Sequence, residues 1–251
     1  KGHLPHTNRI FKLTGVKQRF EGKALTDLEE EDRLRFEDTV IHAMIIQQMV
    51  PEDNKSSVFH IFERLNTNGT PLQPQEMRAA IYHGNFQEML GQVNENTAWR
   101  EVFGPQHKRS KDQELILRFL ALRYNRENYS RPMKGFLNQF MEANQNKSKG
   151  ELAEYADAFG NTIERSFDAL GKQAFRPVRS INVAVYDALM VAIAENASAC
   201  AGAIKHASQQ LTSDEGFRSM VSEGTSDDRR VKARIQIAKE ALDHAVATHN
   251  H

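Results

Sequence analysis

The chain has little of several things that usually announce a function. One cysteine, Cys200, stands in 251 residues, which excludes an internal disulfide framework and a cysteine-based metal cage and points to a reducing, cytoplasmic compartment. No run approaches the roughly 20 apolar residues that cross hydrocarbon, so no membrane span is expected. Neither sign of charge dominates: 33 Lys and Arg face 33 Asp and Glu, which removes any global electrostatic pull toward nucleic acid or anionic lipid and leaves only local patches. There is no P-loop, no nucleophile elbow and no Ser-His-Asp order to argue from. Residues 1–9 carry neither a signal-peptide apolar stretch nor a cap pattern, and Lys1 is not Met, so an internal start within a longer protein is expected.

What is present is core-forming material. With 39% hydrophobic residues, 14 of them Phe, and zero net charge, wholesale disorder is excluded. The length suits one large or two modest domains.

Periodicity predicts a mainly α chain, a bundle-like helical array with a small β remnant near its start. Residues 9–16 suit a short extended segment. Leu25 to Phe36 reads as a helix capped by Thr26 or Asp27, with Glu29 to Asp32 in its first turns, where the macrodipole favours anions. Thr39 to Met49 has apolar residues on both alternating faces and reads as a buried strand, whose partners are expected upstream of Lys1. Ser56 to Leu65 places Val58, Ile61, Phe62 and Leu65 at helical spacing. That helix ends at the polar bend Asn66-Thr67-Asn68-Gly69-Thr70-Pro71. The next begins with Gln73 at the cap, Pro74 at the first helical position, Glu76 behind it, and Leu72 stapled to Met77. Gly84 marks an interruption.

Beyond Asp112 the pattern is helical almost throughout. Pro132 opens a helix through Met141, and a long amphipathic helix follows from Leu152 to Leu170. Three or four more helices are expected: about Asn182 to Ala197, a short one near Ala201 to Leu211, one near Asp214 to Val221, and a last one from Thr225 or Ser226 to His244. The polar stretch from Asn144 to Gly150 reads as a linker, giving provisional domains of 1–145 and 151–251.

One segment rises above generic helix. In helix, polar glycine-containing loop, helix, the free amide N–H groups at the second helix's start attract phosphate. Arg64 and Arg78 add charge, and Asn66, Asn68, Gly69 and Thr70 offer donors for phosphate or sugar oxygens. The competing structural account has Asn66 and Gly69 capping two helices and Arg64 paired with Glu63 or Glu76; on spacing alone it is the commoner explanation. Phe62 falls on the apolar face and reads as core.

Other candidates are weaker. The basic clusters His107-Lys108-Arg109-Lys111 and Arg229-Arg230-Lys232-Arg234 have the charge to meet phosphates, with solvated surface as the commoner explanation. The terminal His249-Asn250-His251 lacks the ββα scaffold and separated ligands of a nuclease metal site, and His3 and His6 lack spaced partners. Cys200, among Ala and Ser, reads as a small packing residue.

The stretch FERLNTNGTPLQPQEMRAAIYHGNF resembles the GmrSD restriction-endonuclease amino-terminal-domain family, with a ParB/sulfiredoxin-like fold. Phe62 and Asn66 match that family's F-x-x-x-N motif, and ELILRFLALRYNRENYSRPMKGFLNQFMEAN is similar to the helices that follow it. The resemblance covers about Phe11 to Asn144; the family's second motif, D-G-Q-Q-R, is absent, as is an identifiable nuclease domain.

What the resemblance implies is the carboxy-terminal portion of such an α+β domain, followed by a helical extension, within a prokaryotic anti-phage or restriction-type system. It implies nucleoside triphosphate, accompanied by Mg2+, as ligand, DNA as a partner of the system, and a regulatory or nuclease-associated role. Whether the chain is itself an enzyme stays open. The alternative is a non-catalytic helical module that binds a protein partner, a second copy or nucleic acid through the helices after Gly150.

Overall fold

A computed structural model of the chain describes residues 10–40, 43, 56–65 and 71–249. Among them there are twelve α-helices and no strand. They are α1 (Glu30–Glu37), α2 (Ser56–Leu65), α3 (Pro74–Ile81), α4 (Asn85–Val93), α5 (Thr97–Phe103) and α6 (Lys111–Asn125), followed by α7 (Met133–Asn144), α8 (Lys149–Leu170), α9 (Val183–Glu195), α10 (Ala201–Ser213), α11 (Glu215–Ser222) and α12 (Asp228–His249). The chain divides into two compact units, residues 1–47 and 48–251.

The first unit holds α1 and the loop before it. Leu13 donates to the Lys23 carbonyl at 2.9 Å and its own carbonyl accepts from Gly22 at 2.8 Å, closing that loop. Phe11 to Val16 carry no regular structure. The helix expected from Leu25 starts later: Leu25–Asp27 is a single 3-10 turn, and α1 begins at Glu30. The reason is local. The Asp27 carboxylate accepts from the Ala24 amide at 2.9 Å, so it closes the short turn and does not cap the helix. No residue of α1 is buried. Of the expected strand, Thr39, Val40 and Ala43 carry no regular structure, and its other residues lie outside the described ones.

The second unit is built around α9. Every residue from Ala184 to Ile193 is buried, apolar but for Asp187 and the Tyr186 hydroxyl, as suits a helix surrounded by others. Asn182 starts it, its amide oxygen accepting from Ala184 and Val185 at 2.9 and 3.2 Å. Helices α6, α8 and α12 pack against it, and α8 also touches α4, α5, α6 and α10. One continuous apolar cluster runs from Phe59 in α2 to Ala245 in α12. Each fully buried Leu or Phe contributes about 1.5–3 kcal/mol, which makes this cluster the chief source of stability.

The stretch expected to link two domains is a packed turn. Asn144 is buried, donates to the Phe140 carbonyl at 2.7 Å and accepts from the Tyr155 hydroxyl at 3.2 Å. Asn85 donates to the Lys147 carbonyl at 3.0 Å, and Ser148 starts α8 with Glu151 in a reciprocal cap. Asn144 and Ser148 spend their side chains on a backbone bond and a cap, and Lys147 pairs with Glu151. Helix α5 has no strong apolar period; Asn96 caps it by accepting from the Trp99 amide at 3.0 Å, and the fully buried Trp99 donates its indole N–H to Asn94.

Candidate functional site

Helix α2 delivers the chain to the bend after Leu65. Phe59 is fully buried and Phe62 packs partly buried against the core, so the helix is anchored by its apolar face. Lys134 of α7 grips the Glu63 carboxylate at 2.9 and 3.0 Å and, with His60 nearby, holds its pKa below the usual carboxylate range. Arg64 is exposed at the end of α2. Asn66, Asn68, Gly69 and Thr70 lie outside the described residues.

The chain re-emerges under tight control. Arg109 donates to the Pro71 carbonyl and, through Nε, to both oxygens of Glu76 at 3.0 and 2.8 Å. Glu76 in turn accepts from the Gln73 amide at 2.6 Å, so Gln73 and Pro74 open α3 where the sequence placed them. Burial works to raise the Glu76 carboxyl, but the bonds from Gln73 and Arg109 outweigh it and hold the pKa below the ordinary value. The first turn of α3 therefore already carries a carboxylate against its dipole.

Arg78 is placed differently from a surface phosphate ligand. It is buried, and its guanidinium donates to Asn138 of α7 at 2.8 Å, to Gln75 at 3.1 Å and to Glu114 of α6 at 3.1 Å. Burial pulls its pKa down and Glu114 pushes it back up. Its direct role is to tie α3 to α6 and α7.

From Glu114 the charges continue inward. Arg118, one turn along α6, donates through Nε to Asp187 of α9 at 3.1 Å, and Arg234 of α12 donates to the same carboxylate at 2.9 Å. Asp187 and Arg234 have no exposed surface. A second carboxylate on α9, Glu195, gathers Arg123, Arg126 and Lys239. Burial works to raise its pKa, and Lys239 and Arg126 hold it below the usual range. These acids join α6, α9 and α12.

Half of the residues in the two basic clusters, Arg109, Arg230, Lys232 and Arg234, have their side chains engaged by the fold. Arg109 serves Glu76 and Pro71, the His107 amide donates to Asp112 at 3.1 Å, and Arg230 and Lys232 bond the carbonyls of Glu223 and Glu127. Arg234 is the buried partner of Asp187. Cys200 is exposed at the start of α10, a correction to its expected place in the core. The His249 Nδ1 lies 2.9 Å from the Ala245 carbonyl; Asn250, His251, His3 and His6 lie outside the described residues. Among the described residues no group of three or more His, Cys, Asp or Glu is arranged to hold a metal ion, and no helix is long and apolar enough to cross a membrane.

The residues that sequence reading missed are Glu76 and Arg109 as the clamp on the bend, and Glu114 and Asn138 as the seat of Arg78. Only the Glu76 half had a local signal, the Gln-Pro-x-Glu start of α3. No protein-family model, curated protein or solved structure matches this chain.

Proposed function

We propose that this chain is the nucleoside-triphosphate-binding part of a prokaryotic anti-phage or restriction-type system, regulatory or nuclease-associated, with the bend from Asn66 to Thr70 facing the phosphates. The observation that carries the reading is the F-x-x-x-N wording at the end of α2, on a helix whose Phe59 and Phe62 are docked in the core. Two features of the flanks support it. Arg109 holds the Pro71 carbonyl and the Glu76 carboxylate, which fixes the chain where it enters α3. Arg64 adds positive charge at the exposed end of α2.

The roles divide by chemistry. The Asn66 and Asn68 amides, the Thr70 hydroxyl and the Gly69 N–H donate to phosphate oxygens, and Arg64 supplies long-range attraction. Arg78 acts as a positioning residue that ties α3 to α6 and α7. Mg2+ arrives with the triphosphate as its counter-ion. DNA is a partner of the system rather than of this loop.

Calorimetric titration of the chain with Mg·ATP and Mg·GTP tests this. Asn66→Ala is expected to weaken binding about tenfold or more with the thermal midpoint in place. A variant that binds as wild type overturns the assignment. So does one that loses about 0.5–2 kcal/mol of stability without a specific binding defect, since that identifies Asn66 as a helix cap.

A further inference from the structure

The end of α8, the loop 171–182 and helices α10 and α11 surround a cavity of about 700 Å³. That volume lies within the range of about 300–1,000 Å³ typical of small-molecule sites. The Asn182 amide donates to the Phe175 carbonyl at 2.9 Å and closes the loop that forms one wall. The floor is apolar, with Phe175, Val185, Phe217 and Val221 all buried.

The charge of the lining sets this cavity apart. Arg176, Lys205 and Arg218 face it, and no acidic side chain does. In the second unit, Arg78, Arg109, Arg118, Arg126 and Arg234 are each matched by a carboxylate. Lys205 and Arg218 have no ion-pair partner among the described residues. Arg176 uses one nitrogen on the Lys172 carbonyl, at 2.8 Å. In a chain of zero net charge, three unneutralised cations around one cleft with low-dielectric walls focus a positive potential into it.

The uncharged polar groups narrow the ligand class. Thr212, Ser222 and Asn182 spend their side chains on backbone groups. Gln173, Gln209 and the Ser208 hydroxyl line the cavity with no side-chain bond to other described residues. An alkyl anion would cover these amides and this hydroxyl without answering them. An inorganic phosphate would leave the apolar floor wet. A ligand with a phosphate head and a body that is flat, partly apolar and edged with donors and acceptors answers both.

We propose that this cavity is a binding site for a nucleoside monophosphate, its phosphate held by Lys205 and Arg218 with Arg176 adding charge, and its base and ribose set between the apolar floor and the Gln173, Ser208 and Gln209 groups. None of its lining residues belongs to α2 or α3, and the proposal does not depend on the bend's function. It gives the helical body a ligand of its own.

Calorimetric titration of the chain with AMP, and with adenosine, inorganic phosphate and octanoate in parallel, tests the proposal. AMP is expected to bind more tightly than any of the three, with an affinity that falls as salt is added. The paired substitution Lys205→Gln and Arg218→Gln is expected to weaken AMP about tenfold or more, whereas Lys149→Gln, at an exposed lysine outside the lining, leaves it unchanged. Both cations are exposed, so the pair spares the fold, and the charge-keeping pair Lys205→Arg and Arg218→Lys restores binding. No AMP binding, AMP no tighter than adenosine or phosphate, or AMP binding untouched by the Gln pair overturns the site. Tighter binding of octanoate overturns the nucleotide assignment. If ATP binding is lost with the Gln pair and kept in Asn66→Ala, the bend fails as the nucleotide site while the cavity stands.

Discussion

Asp187 shows how much of this molecule rests on single charged side chains. Two guanidiniums, Arg118 and Arg234, converge on its carboxylate in the interior, and removing it strands both. Asp187→Ala is expected to cost about 3–5 kcal/mol in urea unfolding, because an uncompensated buried charge is worse than a missing contact. A loss under about 1 kcal/mol would show that the cluster is not a structural tie. Asp112 makes a related prediction for pH. Burial works to raise its carboxyl, but Asn94, the His107 amide and Arg100 outweigh it and leave the folded pKa depressed. A depressed carboxylate contributes stability above its unfolded pKa of about 3.9, and that contribution is lost as pH falls through the folded value. The thermal midpoint is therefore expected to fall between about pH 5 and pH 2, and Asp112→Asn, less stable at neutral pH, is expected to show a shallower acid limb. None of these pairings was legible in the sequence. Arg234 and Asp187 stand 47 residues apart, Arg118 and Asp187 69, and nothing local distinguishes a buried arginine from a solvated one.

Among the elements, close approach of backbones decides what can change. A Cβ at Gly84 would lie 2.4 Å from the Gln145 carbonyl oxygen, where the start of α4 meets the turn after α7. Gly84→Ala must push the two apart and is expected to cost roughly 2–4 kcal/mol. Gly91, inside α4 with open space around its Cβ position, is the control: Gly91→Ala is expected to raise stability by up to about 1 kcal/mol through helix propensity. Equal effects at the two positions in thermal unfolding would contradict the packing of α4 on that turn. The elements that sequence made legible are those with strong local signals: α2 by its apolar period, α3 by Gln73-Pro74-x-Glu76, and α9 by its predominantly apolar run behind Asn182. Helix α5 escaped because seven residues give too little period and its cap, Asn96, looks like any loop asparagine. The start of α1 was misplaced because Asp27 bonds backward to Ala24, a choice between two local partners that composition does not reveal.

For the whole second unit, the apolar cluster from Phe59 to Ala245 implies one cooperative body across the polar stretch 144–150. Trp99, the single tryptophan, is fully buried in it. Unfolding followed by its fluorescence and by helical circular dichroism is expected to give coincident transitions, whereas a separable 151–251 part would unfold at its own midpoint. The linker expected from composition turned out to be a turn held by Asn144, Asn85 and Ser148, because long-range packing overrides a local polar signal. Of the candidate site, the α2–bend–α3 order was legible in the sequence. Its Arg109–Glu76 clamp and the inward turn of Arg78 were not, since each depends on a helix distant in the chain. Hydrogen exchange of the full chain, with and without saturating Mg·ATP, puts the central claim to its most direct test. Slowed exchange of the amides from Asn66 to Thr70, abolished in Asn66→Ala, is the predicted result; unchanged exchange across those residues would contradict it.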